Sequence, residues 1–274
     1  MIVSAFLLAA QLTPFDQVVA KERALAAASL EKGLHESFLM NLAPDAIAFL
    51  PLPGPARPKH EGQPKTTAKL NWGPTWVAVS SAGDLALSTG PWEVSHHEST
   101  VIKVSTGWFF SIWRHEPNGE WKVVVDSGIS SPVKFDLPKT VENGFIGLAP
   151  SKPRPGGAAD GRIGVATAER ALAASAKSGL GKAVAASADP LVRVYREGRP
   201  AAFGAVAAKA LLEADTRKVT CTPDRIIASA SGDLGYAYGV CAGADGEASS
   251  KYGFLRVWRM QADGAWKILT DVTP

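Results

Sequence analysis

Two hydrophobic patterns take turns along this chain, and the whole alternation happens twice. Around 15–30, and again around 165–178, the residues are mostly Ala and Leu with scattered charges, a composition that favours helix. A second helical stretch follows each, "LHESFLMNLA" and then "GKAVAASA". Short strand-like runs come next, at 46–50 and 191–195. After each of them lie three β-rich segments whose side chains alternate between two faces. Asn118-Gly119 and Asp263-Gly264 are hairpin dipeptides between the last two segments of each half. Thr13-Pro14-Phe15-Asp16 reads as a helix start, with a Thr cap, a Pro at the first helical position and an Asp able to close a capping box. Helices first and antiparallel strands afterwards predict an α+β layout, with helices over one face of a curved sheet.

The blocks themselves recur in order. "ERALAAASLEKGL" (22–34) returns as "ERALAASAKSGL" (169–180), and "GDLALSTGPW" (83–92) returns 149 residues later as "GDLGYAYGVC". "FFSIWRHEPNGEWKVVVD" (109–126) returns 145 residues later as "FLRVWRMQADGAWKILTD". Offsets that drift by only a few residues across three ordered blocks mean an internal duplication with small loop changes. The expected organisation is an apolar segment at 1–12, a first domain at 13–129, a Pro- and Gly-rich linker at 130–163 and a second domain at 164–274.

The middle block ends once in Trp and once in Cys. In a hairpin, facing residues have numbers that sum to a constant. A turn centred on Ser231 sets Cys221 opposite Cys241, and the matching turn at Ala82 sets Trp72 opposite Trp92. The first copy is therefore expected to carry a cross-strand Trp pair where the second carries a Cys221–Cys241 disulfide, the alternative being two buried free thiols. An aromatic cross-strand pair contributes roughly 0.2–1 kcal/mol. A disulfide closing a loop of this size contributes about 3 kcal/mol and suits an oxidising compartment.

Composition changes this picture little. The chain has 274 residues, 46% hydrophobic and 20% charged, with a net charge of +3, a folded protein without the basic clusters that nucleic acid or a membrane surface would select. The apolar run at 2–10 is too short to span a bilayer. It resembles the core of a secretory signal, though no basic residue precedes it. A periplasmic or secreted location is expected, with a cytoplasmic one as the alternative.

Two helices, "APDAIAFLP", then "VSSAGDLALSTGPW" and "GWFFSIWRHEPNGEWKVVVDSG" together resemble a domain of the nuclear transport factor 2-like superfamily, and more narrowly its SnoaL-like bacterial members. The resemblance covers about 14–130 and, more loosely, 164–274. It implies two tandem cone-shaped α+β barrels, each with N-terminal helices on a strongly curved, mainly antiparallel sheet and a pocket at one end. It also implies that the two copies pair through their sheets as an internal pseudo-dimer. In the superfamily's ketosteroid isomerases the general base stands five residues after the Asp that opens the first strand. Here those positions are Leu50 and Val194, neither able to take a proton. All four Tyr lie in the second half, so the isomerases' oxyanion Tyr has no counterpart in the first.

All five His and six of the eight Trp fall in the first copy, which makes it the better candidate for a working pocket. In "SHHES" strand alternation puts His96 and Glu98 on one face and His97 on the other, so they do not converge on a metal. No metal and no cofactor is expected. Trp92, His96, Trp108 and Phe110 are candidates for contact with an apolar or aromatic ligand. His97 and Asp126 are the candidates for proton transfer, Asp126 because a carboxylate at a strand end beside aromatics can have a raised pKa. Arg57, Lys59 and His60 read as a surface loop, His35 as a helix start and His115 as solvated. Arg114/Arg259, Trp113/Trp258 and Trp121/Trp266 recur in both copies, as scaffold residues do. The expected function is noncatalytic binding of a small molecule, or an accessory role, with the pocket in the first domain. The alternatives are a lyase or isomerase using His97 or Asp126, and an interaction module without a pocket.

Overall fold

The computed structural model describes residues 12–49, 51–64, 66, 68–98, 101–144, 156–243 and 251–273. The signal-like segment therefore lies outside the described residues, as does Leu50. The first copy runs α1 (Pro14–Glu31), α2 (Leu34–Asn41), β1 (Leu42–Phe49), β2 (Pro53–Pro55), a short 3₁₀ turn (Arg57–Lys59), β3 (Lys69–Trp72), β4 (Trp76–Val79), β5 (Leu85–Glu98), β6 (Val101–His115), β7 (Trp121–Ser130) and β8 (Glu142–Asn143). The second runs α3 (Gly157–Ala176), α4 (Leu180–Ser187), β9 (Ala188–Arg196), β10 (Ala202–Phe203), α5 (Ala205–Ala214), β11 (Val219–Ala228), β12 (Leu234–Gly243), β13 (Tyr252–Met260) and β14 (Trp266–Thr273). The stretch read as linker thus contributes β8, parallel to β4, and the first turns of α3.

α1 starts where the sequence places its cap: the Asp16 amide donates to Thr13 Oγ1 at 3.2 Å, and the Thr13 hydroxyl donates back to the Asp16 carboxylate. Val18, Glu22, Leu25 and Ser29 form its buried stripe, and Val165, Glu169, Leu172 and Ala176 repeat it 147 residues later on α3. Spacings of three and four bring these residues onto one face. Ala-rich surroundings keep each helix close to its sheet.

Each copy builds its own sheet. The first has the order β2-β1-β7-β6-β5-β4-β8, with β3 also on β5, and the second β10-β9-β14-β13-β12-β11. Both are mixed, because β1 lies parallel to β7 and β9 parallel to β14, and both bulge at the same place, between Ile112 and Trp113 and between Val257 and Trp258. Bulges bend strands. The result is two curved sheets, each under its own helices, as the expected cone-shaped α+β architecture requires, with neither sheet closed on itself. Gly90 and Gly239 mark where each sheet folds over its edge. A Cβ there would stand 2.0 Å from the Gly73 carbonyl oxygen and 2.1 Å from that of Thr222, so only glycine fits.

The sheets meet through the faces turned away from their helices. Tyr195, Tyr236, Leu255 and Val272 of the second copy join the hydrophobic cluster of the first. At one end two equivalent turns grip each other. The Ser81 amide donates to Asp233 (3.0 Å) and the Ala230 amide donates to Asp84 (2.7 Å). This reciprocal pattern is that of a near-twofold contact.

Candidate functional site

The registers decide which side chains face α1. Trp92 lies opposite Gly107, and Ser88 opposite Ser111; Gly128 lies opposite Phe109, and Asp126 opposite Ser111. Trp92, Phe109, Ser111 and Asp126 therefore share the concave face, and β-strand alternation sends Trp108 and Phe110 to the other. Between this face, α1 and β1 lies a cavity of about 330 Å³ whose walls include Phe38, Phe49, Trp72, Trp92 and Phe109. Its polar groups are Glu22, Ser111, Asp126 and Ser127. It shares Phe49, Trp92, Ser127 and Gly128 with a cleft of about 600 Å³ between the two copies, whose far wall is Gly253, Leu255 and Val272.

Glu22 is fully buried, and two indoles hold it: Trp72 Nε1 donates to Oε1 at 2.9 Å and Trp113 Nε1 to Oε2 at 2.8 Å. Burial still pushes its pKa up, against the pull of these donors. Asp126 differs. Half-buried at the cavity wall, its carboxyl accepts no hydrogen bond and makes no ion pair among the described residues. Burial, reinforced by the neighbouring Glu22, pushes its pKa up to about 7, and Lys59 opposes this weakly. The Lys59 ammonium itself donates to the Ala48 carbonyl at 2.8 Å. His60 stacks on Phe38 with ring centroids 4.9 Å apart, and burial with the nearby His35 and Lys59 pulls it down to about 4. The 3₁₀ turn read as plain surface thus backs the cavity.

The second copy carries the same frame, filled. Glu169 accepts from Trp258 Nε1 at 2.7 Å as Glu22 does from Trp113. Asp271 lies opposite Arg256 as Asp126 lies opposite Ser111. The Arg256 guanidinium occupies the interior, paired with Asp271 at 2.7 Å and Glu169 at 3.0 Å and lying 4.3 Å from the centroid of Phe254. Arg196 adds a second pair to Asp271 at 2.7 Å. Burial pushes Asp271 upward, but Arg196 and Arg256 outweigh it and hold it below the usual carboxylate range. Cys221 and Cys241 sit opposite each other and are joined in a disulfide, and Trp72 sits opposite Trp92.

Of the residues singled out from sequence, the cavity brings together Trp92 and Asp126. Trp108 and Phe110 correct the expectation: they face the second copy, their rings 5.6 and 4.7 Å from that of Tyr195. His96 and His97 lie in β5 opposite Lys103 and Ile102, and their side chains fall outside the described residues. Val194 is buried opposite Asp271. Glu22, Phe109 and Ser111 were missed, although "ERALAA" repeats Glu22 as Glu169 and "FFSIW" against "FLRVW" exposes Ser111 against Arg256. Among the described residues no cluster of three His, Cys, Asp or Glu could hold a metal, and no helix is long and apolar enough to cross a membrane.

Two bent sheets, each roofed by its own helices, form the α+β architecture that the resemblance to the nuclear transport factor 2-like superfamily implies. Solved structures similar to this chain include two described as NTF2-like and one described as ketosteroid isomerase-like. An NTF2-like protein of unknown function from Pseudomonas putida KT2440 is 15% identical, with 42% of this chain and 87% of that one covered and a TM-score of 0.35. An NTF2-like protein with a cystatin-like fold from Novosphingobium aromaticivorans is 18% identical (42% and 80%, TM-score 0.33). A ketosteroid isomerase-like protein from Erwinia carotovora atroseptica SCRI1043 is 13% identical (42% and 98%, TM-score 0.32). No protein-family model and no curated protein matches the chain.

Proposed function

We propose that the first domain binds a small, largely apolar molecule in the cavity beneath α1, while the second domain is its filled counterpart and supplies the far wall of the approach. The observation that carries this reading is an aromatic-walled cavity of about 330 Å³ with one carboxyl, Asp126, that has no hydrogen-bond or ion-pair partner among the described residues. Concave apolar sites with few polar groups are the usual form of small-molecule sites. The cavity also argues against a solid interaction module. Titration with a neutral solvatochromic dye, Nile red, tests it. We expect saturable dye emission with quenching of Trp fluorescence, and loss of both in Gly128→Leu, whose side chain would project into the cavity mouth. Saturable binding unaffected by that substitution would place the dye elsewhere and sink the proposal.

A second reading, proton transfer to a bound substrate, is favoured by the placement of the Asp126 carboxyl on the wall of the cavity, where burial pushes its pKa up to about 7 and a carboxyl can both take and give a proton. Hydrogen–deuterium exchange at the α-carbon of small cyclic ketones, followed by NMR, should then require Asp126 and vanish in Asp126→Asn. The disulfide supports a periplasmic or secreted location, which fractionation of the producing cells would check. The paired sheets and reciprocal turns support an internal pseudo-dimer, and a monomeric mass in sedimentation is the expected result.

A further inference from the structure

The duplication lets one half of the molecule report on the other. In the second copy two acids, Glu169 and Asp271, and the face of Phe254 surround a guanidinium that the chain itself supplies through Arg256. In the first copy the acids remain as Glu22 and Asp126 and the ring remains as Phe109, but the position of Arg256 is taken by Ser111. Space replaces the cation, since Ser111 and Asp126 both line the cavity. Trp72 takes over one duty of Arg256 by donating to the second oxygen of Glu22. Among the described residues no side chain pairs with Asp126 as Arg256 pairs with Asp271, Lys59 opposing its shift only weakly, and Asp126 is left facing Trp92, Phe109 and Phe49 across the cavity.

From this we infer that the ligand of the first domain is an organic cation, an amine or guanidine on an apolar or aromatic body. The inference rests on the reading that the cavity binds a small molecule, and names the chemistry of that molecule. An unpaired carboxylate beside aromatic faces attracts a cation twice, through its charge and through the ring quadrupoles. A neutral ligand would leave Asp126 unpaired in a site that burial has made costly for its charge. The apolar body would extend past Gly128 into the cleft between the copies, against Ile129, Leu255 and Val272; Glu197, which also lines that cleft, accepts from the Ser130 amide.

Three probes of similar size separate the possibilities by calorimetry at pH 8, where Asp126 is ionised: benzylguanidinium, its neutral isostere benzylurea, and the anion phenylacetate. Benzylguanidinium should bind at least tenfold tighter than benzylurea, with phenylacetate weakest. Asp126→Asn should remove most of that preference. Ser111→Arg should abolish benzylguanidinium binding, because the chain would then supply its own guanidinium as the second copy does. Should Ser111→Arg fail to fold, Asp126→Asn alone decides. Benzylurea binding as tightly as benzylguanidinium would overturn the inference and leave small-molecule binding standing, as would Nile red binding with none of the three probes bound. Failure of dye and probes alike would overturn both.

Discussion

Glu22 and Glu169 occupy the same place on equivalent helices and take a hydrogen bond from equivalent indoles, yet the interiors around them are built on different principles. Around Glu169 charge is neutralised within the chain: Arg256 and Arg196 meet Asp271, Arg256 meets Glu169, and the sheet edge beside them is tied by a disulfide. Around Glu22 the neutralising groups are indole N–H donors, and Asp126 is left to shift its pKa instead. Burial of a carboxylate without a partner raises its pKa, while a close cation lowers it, and here one duplicated frame shows both outcomes. The filled interior satisfies its charges within the chain, whereas the open one leaves room, as the proposed binding role requires. On the proposed reading the two copies divide scaffold and site between them within a single chain.

That contrast breaks most sharply at Arg256. Arg256→Ser would rewrite the second interior toward the first, leaving Glu169 and Asp271 buried with one of their cations gone. Breaking a buried pair from one side costs about 3–5 kcal/mol, so we expect a loss of that order in urea unfolding of the full chain. A loss below roughly 1 kcal/mol would mean that the guanidinium is not what holds the second interior together. Next in size is the disulfide. Cys221→Ala with Cys241→Ala removes a link across 20 residues and should cost about 3 kcal/mol, with Nile red binding in the first domain unchanged. Loss of binding would show that the cavity depends on the second copy's sheet edge.

The pairings behind that prediction were legible without coordinates, because hairpin numbering sets Cys221 against Cys241 and Trp72 against Trp92 once the turns are recognised. The helix stripes were legible for a similar reason, through the repeat of "ERALAA". What could not be read was which face of β6 is concave. Alternation marks an inside only where the other face meets water, and here Trp108 and Phe110 are covered by Tyr195 of the second copy while Phe109 and Ser111 face α1. Both faces are apolar, so the pattern alone does not show that Phe109, and not Trp108 or Phe110, lines the cavity. The difference between Ser111 and Arg256 was visible but mute until the register placed each opposite an Asp.

A smaller effect sharpens the comparison through pH. Asp126 titrates near 7 when folded and near 3.8 in the ordinary carboxylate range, so the folded state holds its proton more tightly than the unfolded one. Its contribution to stability is intact below about pH 4 and is lost as pH rises toward 7. The groups that bear on it are Glu22 on α1, itself pushed upward, and Lys59 on the 3₁₀ turn. The shift corresponds to at most about 4 kcal/mol, and access of water to a half-buried carboxyl reduces it well below that. Asp126→Asn should therefore be more stable than the parent at pH 8 and show a flatter profile between pH 4 and 7. A parallel pair of profiles would place the carboxyl in ordinary solvent and remove the basis for the proton-transfer reading. Asp271→Asn should behave in the opposite sense, because its folded pKa is depressed: its loss of stability should be greatest at neutral pH and shrink as acid protonates the parent.

The smallest effect concerns the gripping turns, where the two copies act alike but are not equally enclosed. Asp233 is buried and accepts from the Ser229 and Ser231 hydroxyls as well as from the Ser81 amide of the first copy. Asp84, less buried, accepts from the Ser80 hydroxyl and the Ala230 amide. Removing an acceptor leaves its donors unsatisfied in proportion to how far water is excluded from them. Asp233→Ala should cost about 1–3 kcal/mol and Asp84→Ala about 0.5–1.5 kcal/mol, both read from urea midpoints at constant slope. The two are 149 residues apart in sequence but share one contact, so the double substitution should cost less than the sum of the singles. Strict additivity would mean that each turn serves only its own sheet, and that the hold between the copies comes instead from the aromatic packing of Trp108 and Phe110 on Tyr195.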